Sequence, residues 1–168
     1  GRFIKEGRAD AVKIEGGAMR ADLIEKLVAN GIPVLGHIGL TPQSVKEIGL
    51  KMQGKTAEAA RKLMDDAMAL EEAGVFAVVL ECVPAELAQK ITAALKIPTI
   101  GIGAGPHCDG QILVINDLLG LTEGAVPKFV KRYADLRTEI KGAVAGLKSE
   151  CEKGIYELRH RPLGQAEQ

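Results

Sequence analysis

The chain has 168 residues, the usual size of one domain, and we expect residues 1–168 to form a single domain. Its 22 Lys and Arg residues balance its 22 Asp and Glu residues. A net charge of zero argues against nucleic acid or an anionic membrane as the main partner, because both call for a basic surplus. No apolar run approaches the ~18 residues that a membrane span needs.

The three cysteines, Cys82, Cys108 and Cys151, are odd in number and widely spaced. This pattern is neither a disulfide framework nor a zinc motif, so we expect a cytoplasmic protein. Cys82 is expected to be a small core residue.

Short apolar runs alternate with longer amphipathic patterns along the chain. The first residues, FIKEGRADAV, resemble the end of a helix and suggest that an upstream segment is missing. The Val- and Ile-rich runs are typical of parallel strands covered on both faces. We predict five such strands: AVKIE (11–15), PVLGHIG (33–39), FAVVLECV (76–83), PTIGIG (98–103) and QILVIND (111–117).

The segments between these strands have helical periodicity and recognisable ends. Thr56 is a candidate N-cap, Gly31 and Gly74 follow apolar stripes as helix ends, and Pro84 lies near a first turn. We predict helices over residues 20–31, 56–74 and 84–96, and one or two long helices over 126–158.

Strands and helices in this order, β-α-β-α-β-α-β-β-α, indicate right-handed βαβ units and a parallel sheet. A doubly wound sheet and a (β/α) barrel both fit this order. One connection is longer than the others: TPQSVKEIG (41–49) predicts a short helix, and KMQGK (51–55) a mobile loop. A segment of this kind beside a strand end acts either as a lid or as an ordinary surface loop.

Ionisable residues occur in three successive strands. Lys13 and Glu15 alternate with apolar residues in the first strand, and His37 and Glu81 lie near the carboxyl ends of the next two. Because strand side chains alternate between faces, Lys13 and Glu15 share one face. In a (β/α) barrel that face is the interior and that end carries catalysis, which favours the barrel over the doubly wound sheet.

Each of these residues also has a purely structural interpretation. Lys13 and Glu15 could form an ion pair, Glu81 could be an edge carboxylate that reaches solvent, and His37 could be a satisfied core histidine. The loop GIGAGPHCDG (101–110) lacks the helix and the distant acid of a dinucleotide site. Barrels do bind phosphate after late strands, but these glycines are better explained by close passage of the backbone to a ligand or a neighbouring strand.

The sequence resembles the 3-methyl-2-oxobutanoate (ketopantoate) hydroxymethyltransferase family from residue 11 to about residue 156. The motifs that carry the resemblance are long and ordered: AVKIEGG, PVLGHIGLTPQS, VVLECVP, IPTIGIGAGPHCDGQILVINDLLGL and VPKFVKRY. The resemblance implies a (β/α)8 barrel of the phosphoenolpyruvate/pyruvate type, of which this chain would supply about strands 4–8. It also implies a homo-oligomer, a decamer.

The resemblance further implies an enzyme of pantothenate and coenzyme A biosynthesis. A hydroxymethyl group would pass from 5,10-methylenetetrahydrofolate to 3-methyl-2-oxobutanoate, giving 2-dehydropantoate, by way of an enolate stabilised by Mg²⁺. By the same resemblance Glu81 is the general base, Lys13 contacts the keto acid, Glu15 is a carboxylate at the metal, and His37 is a supporting active-site residue.

The sequence also departs from the family pattern. Family members run to ~260 residues, typical of such a barrel. The family's first strands, its two principal magnesium-binding aspartates and a substrate-binding serine have no counterpart here, so we expect them in an upstream half. Two other functions stay open: a related barrel lyase or mutase acting on another 2-oxo acid, and a non-catalytic fragment or interaction module.

Overall fold

The computed structural model of the chain describes residues 1–41, 51–124 and 126–155. The chain divides into two compact units, residues 1–113 and residues 114–168, which are described separately. The expectation of a single domain stays a prediction. The expected short helix at 41–49 and the lid formed with it lie outside the described residues, except for Thr41.

The first unit contains a five-stranded parallel sheet. Its strands lie side by side in chain order, each paired with the next. A doubly wound sheet would reverse its order at a switch point, whereas consecutive order is the arrangement of strands in a (β/α) barrel. The predicted α/β fold class, a run of five barrel strands, is confirmed. The strands are β1 (Val12–Glu15), β2 (Val34–Gly39), β3 (Ala77–Glu81), β4 (Thr99–Ile102) and β5 (Gly110–Gln111).

The helices of this unit begin and end where the capping signals indicate. Thr56 accepts a hydrogen bond from the N–H of Ala59 at 3.1 Å, which is N-cap geometry. Gly31 and Gly74 follow their helices with positive φ, as helix-ending glycines do. In the described part of this unit the helices are α1 (Arg2–Lys5), α2 (Ala21–Ala29), α3 (Ala57–Glu72) and α4 (Ala85–Ala94), with a 3₁₀ turn at Ala18–Arg20.

One face of the sheet packs against these helices and forms the hydrophobic core. Alternate residues of the central strands contribute to it, among them Val34 and Ile38 of β2 and Val78 and Leu80 of β3. Val12 and Ile14 of β1 pack against its edge. The intervening residues of each strand therefore face away from the helices. From the helices the core receives Ile24, Leu63, Ala67, Leu70, Leu87, Ala88 and Ile91.

The predicted fifth strand, 111–117, is wrong in its extent. The strand occupies only Gly110–Gln111, and the last bond toward β4 is donated by the N–H of Ile112 to the carbonyl of Gly101. Three residues later the chain turns into a short helix that contains Asn116 and Asp117. Asn and Asp are poor strand residues, whereas they support turns and helix starts.

The second unit corrects the prediction for its helices. Residues 126–135 contain no helix in the described part, and helix α6 begins only where Asp135 caps it by accepting from Thr138. The chain forms a turn there instead, in which the N–H of Val130 donates to the carbonyl of Pro127 at 3.0 Å, and an apolar pattern alone does not show where a helix begins. Gly154 ends α6 with a φ of 68°. Among the residues of this unit that the structure describes, the helices are α5 (Ile115–Leu118) and α6 (Leu136–Glu152).

Across the described residues, the structure contains no helix with both the length and the apolar character needed to cross a membrane.

Candidate active site

Three side chains from three neighbouring strands converge on the sheet face that points away from the helices. The imidazole of His37 on β2 lies between two carboxylates. Its Nε2 is 3.1 Å from Oε2 of Glu81 on β3, and its Nδ1 is 3.7 Å from Oε1 of Glu15 on β1. The strand register explains the convergence. Glu15 on β1 pairs with His37, and His37 pairs with Val79 on β3. Glu81 lies two residues after Val79 and therefore on the same face of the sheet.

The cluster is largely shielded from solvent. The His37 side chain is 1% exposed, that of Glu15 10% and that of Glu81 18%. Carboxylates are rarely buried to this degree unless they are paired or used. Two glutamates drawn together around one imidazole therefore indicate a polar site rather than a solvated surface.

Lys13 lies on the same face but one layer lower. It pairs in register with Leu35, two residues before the Glu15–His37 pair, and its side chain is exposed. Two residues of strand span about 6.6 Å, a distance that the four-carbon stem of a lysine can cover. Lys13 therefore lies on the same face as the three-residue cluster, nearer the amino end of its strand, at a separation that its extended side chain can span.

The imidazole of His37 is poorly satisfied for so buried a group. Although its Nε2 lies within ion-pair distance of Glu81, neither ring nitrogen has a partner in aligned hydrogen-bond geometry among the described residues. A satisfied core histidine would show such a partner. A buried polar atom without an aligned partner calls for an explanation, such as a ligand or water that completes the network, so His37 is a candidate site residue.

The backbone around Glu81 is tightly constrained. Cys82 has a φ of 50°, unusual for a residue with a side chain, yet its N–H donates to Ile102 at 2.9 Å and its carbonyl accepts from Gln53 at 2.8 Å. Gly39, beside Glu81, has a φ of 95°, and a Cβ there would lie 2.2 Å from the Glu81 carbonyl oxygen. A residue with a side chain that is held at positive φ, as Cys82 is, is found most often at functional sites.

Cys82 was expected in the core, and this expectation is wrong. The residue is only half-buried and does not belong to the hydrophobic cluster. Burial raises the pKa of its thiol, and the charge of the adjacent Glu81 carboxylate raises it further. The rule that free cysteines fill cores fails here because the residue directly follows the end of β3, where the chain leaves the sheet.

One residue near the cluster escapes sequence reasoning. Asp66 lies on the buried side of α3, and its carboxylate accepts a hydrogen bond at 2.9 Å from the N–H of Ala18, in the loop that follows Glu15. The signal was present in the sequence as an acid within the apolar stripe of an amphipathic helix. Nothing in the sequence indicated its partner, Ala18, which lies 48 residues away.

The predicted close approach of the glycines to a neighbouring strand is confirmed at Gly101, which lies beside Gln111 of β5, whereas the neighbour of Gly105 is the start of helix α4. A Cβ on Gly105 would lie 2.4 Å from that of Ala85, and one on Gly101 would lie 3.0 Å from the Cys108 sulfur.

In the described part of the chain, no group of three or more His, Cys, Asp or Glu side chains is arranged to hold a metal ion.

A parallel sheet in consecutive order, with ionisable side chains gathered toward the carboxyl ends of its strands, is the arrangement found in part of a (β/α)-barrel protein. Comparison with known proteins narrows the class. Residues 1–157 match the family described as ketopantoate hydroxymethyltransferase. The chain belongs to this family, whose fold is a barrel of the phosphoenolpyruvate/pyruvate type.

Similar proteins are named 3-methyl-2-oxobutanoate hydroxymethyltransferase. That of Carboxydothermus hydrogenoformans is 63% identical over 162 residues, covering 95% of this chain and 59% of the relative. That of Geobacter sulfurreducens is 61% identical over 157 residues, covering 93% and 59%. That of Syntrophomonas wolfei is 54% identical, covering 93% and 57%. The chain thus spans somewhat more than half the length of the curated relatives that it matches.

Proposed function

We propose that the full-length protein containing this chain transfers a hydroxymethyl group from 5,10-methylenetetrahydrofolate to 3-methyl-2-oxobutanoate, giving 2-dehydropantoate. The observation that carries the proposal is the Glu15–His37–Glu81 cluster at the carboxyl ends of three adjacent strands. The names of the relatives support the reaction. The folate donor, the magnesium ion and the place in pantothenate synthesis rest on the family resemblance.

Glu81 is the proposed general base. The reaction requires removal of the proton on carbon 3 of the keto acid, because the resulting carbanion attacks the one-carbon unit. A carboxylate can accept that proton if it reaches the carbon. Glu81 suits the task because it keeps more solvent exposure than its two neighbours in the cluster while its backbone is held in place on both sides.

His37 supports the two carboxylates and is not itself the proposed base. It sits between Glu15 and Glu81, with one ring nitrogen toward each. An imidazole donates from one nitrogen when neutral and from both when charged. His37 lies close enough to Glu81 to donate to its carboxylate after a small reorientation when the substrate enters, and it lies between the proposed base and the residue proposed at the metal.

Glu15 is the proposed contribution of this chain to a magnesium site. Its carboxylate is a hard oxygen ligand of the type Mg²⁺ prefers, and magnesium sites commonly use one or two carboxylates together with water and substrate oxygens. The resemblance to the family implies further protein ligands that this chain does not contain. When bound, the ion would stabilise the negative charge that develops on the keto oxygen. Lys13 would neutralise the substrate carboxylate.

Proton exchange at carbon 3 tests the assignment of the base. In D₂O with Mg²⁺ and without folate, the full-length protein should exchange the methine proton of 3-methyl-2-oxobutanoate, which proton NMR detects. Glu81→Gln should slow the exchange by about 10²- to 10⁴-fold, the usual contribution of a general base. Glu86→Gln, which changes an exposed glutamate five residues along, should leave it unchanged.

The same preparation separates the alternatives. Formation of 2-dehydropantoate on addition of methylenetetrahydrofolate supports the proposal. Exchange without that product would point instead to an enzyme acting on another 2-oxo acid. If the full-length protein neither exchanges the proton nor forms the product, the proposal is wrong. The decameric assembly and the cytoplasmic location stay predictions.

A further inference from the structure

Asp66 is a buried carboxylate outside the proposed catalytic cluster. It lies on α3 between the core residues Leu63 and Ala67, and its side chain is 10% exposed. Its Oδ1 accepts from the N–H of Ala18 at 2.9 Å, and its Oδ2 accepts from Lys62 Nζ at 2.8 Å. Because the Lys62 side chain is 76% exposed, that ion pair contributes little and does not explain why a carboxylate is buried here.

The partner of Asp66 is the loop that leaves β1 directly after Glu15. Ala18 opens the 3₁₀ turn that leads into α2, and neither of these helices has a side-chain cap of its own. The N–H groups at a helix start need acceptors and favour negative charge. The carboxylate of Asp66, on helix α3, supplies both the acceptor and the negative charge.

The loop is shaped to receive this carboxylate. Gly17 is buried, and a Cβ at that position would lie 2.0 Å from Cγ of Asp66. Gly16 has a φ of 116°, and its N–H donates to the carbonyl of His37 at 3.0 Å. The two residues after Glu15 are therefore held between the β2 backbone on one side and Asp66 on the other.

We propose that Asp66 is a positioning residue, which fixes the loop after β1 and through it the carboxylate of Glu15. This inference rests on the function proposed above, in which Glu15 is a magnesium ligand. Loss of the Asp66–Ala18 bond would free the Gly16–Gly17 segment, so Glu15 would lose part of its fixed orientation. Removing a residue that orients a metal ligand typically lowers the affinity for the metal about 10- to 100-fold.

The test measures metal binding directly in the full-length protein, with Mn²⁺ as the probe and its electron paramagnetic resonance signal as the readout. Asp66→Ala should weaken Mn²⁺ binding by about 10- to 100-fold. Asp66→Asn keeps an acceptor oxygen for Ala18 and should restore most of the affinity. Lys62→Met removes only the exposed ion pair and should bind Mn²⁺ as the wild type does.

Glu71→Ala is the matched structural control. Glu71 lies on the same helix and also accepts from backbone N–H groups of a distant segment, those of Lys96 and Ile97. That segment directly precedes β4, at the amino ends of the strands, whereas the Glu15–His37–Glu81 cluster lies at their carboxyl ends. Glu71→Ala should therefore destabilise the fold without changing Mn²⁺ affinity, which separates a local positioning effect from a general loss of stability.

A second variant keeps the test decisive if Asp66→Ala does not fold. Gly17→Ala leaves the carboxylate in place but pushes the loop away from it, and it should weaken Mn²⁺ binding in the same way. Wild-type affinity in Asp66→Ala, or in Gly17→Ala where Asp66→Ala does not fold, would overturn the inference, as would an equal loss in Glu71→Ala. A wild-type protein that binds no Mn²⁺ and exchanges no proton would overturn the proposed function, and the inference with it.

Discussion

At the scale of single residues, Glu81 and Cys82 share one electrostatic environment. Burial and the neighbouring carboxylate both hold the pKa of the Cys82 thiol above its usual range. Only the thiolate reacts with alkylating agents. The reactivity of this cysteine therefore reports on the charge of the proposed base beside it.

We expect Cys82 to react with iodoacetamide more slowly than the exposed Cys151. Glu81→Gln removes the like charge, lowers the pKa of the thiol and should speed the labelling of Cys82 a few-fold at pH 8. Peptide mass spectrometry over a time course measures both rates. Cys151 serves as the internal reference, and an unchanged Cys82 rate would mean that the Glu81 charge does not reach the thiol.

The roles of these residues differ in how far the sequence could predict them. The alternation in AVKIE predicted that Lys13 and Glu15 would face away from the helices, and the packing of Val12 and Ile14 against the core confirms it. The contact of His37 with two carboxylates depends on strand register, which pairing across the sheet decides. No local pattern encodes it.

At the scale of elements, the connection from β4 to β5 is unusual because it joins parallel strands without a helix. Asp109, just before β5, closes it: its carboxylate accepts from the N–H of Thr99 at 2.8 Å and from its hydroxyl at 3.1 Å. These hydrogen bonds hold the pKa of Asp109 below its usual value. The start of β4 and the start of β5 are thereby tied together.

This shift gives stability a defined pH dependence. A carboxyl group whose folded pKa is lowered stabilises the fold above its unfolded pKa, and that stabilisation is lost as the pH falls through the folded value. We expect Asp109→Asn to be less stable than the wild type at neutral pH, with the difference shrinking below about pH 4. Urea denaturation between pH 3 and 7 measures it. A gap that stays constant over this range would contradict the assignment.

Elements with clear end signals were predicted well and the others were not. Thr56 and Gly74 mark α3 closely, because caps and helix-ending glycines act on their own backbone. The strand at 111–117 and the helix over 126–135 failed because an apolar pattern shows which residues avoid water but not where pairing stops. In both cases the failure lies at the boundary of an element whose type was correct.

At the scale of the whole molecule, binding at the proposed site should stabilise the native state. Ligands that bind only the folded protein add stability by mass action, about 2.7 kcal/mol at one hundred times the dissociation constant. Mg²⁺ together with 3-methyl-2-oxobutanoate should therefore raise the melting temperature of the full-length protein, and EDTA should reverse the part due to the metal.

Glu15→Gln should remove most of this magnesium-dependent rise, because an amide is a weaker magnesium ligand than a carboxylate. Differential scanning fluorimetry with and without EDTA measures the effect. Glu25→Gln, which alters an exposed glutamate on α2, is the matched control and should behave as the wild type. An equal magnesium-dependent rise in Glu15→Gln would show that the ion binds elsewhere.

The sequence by itself determined the alternation of strands and helices, the face on which each ionisable strand residue lies, and membership of the family. These follow from periods of two and 3.6 residues, from capping signals and from ordered motifs, all of which are local. Only the tertiary structure decided that Glu15, His37 and Glu81 meet, and that Asp66 holds the loop beside them. Those contacts join residues that are 22 to 48 positions apart, and their geometry depends on strand register and helix packing across the sheet.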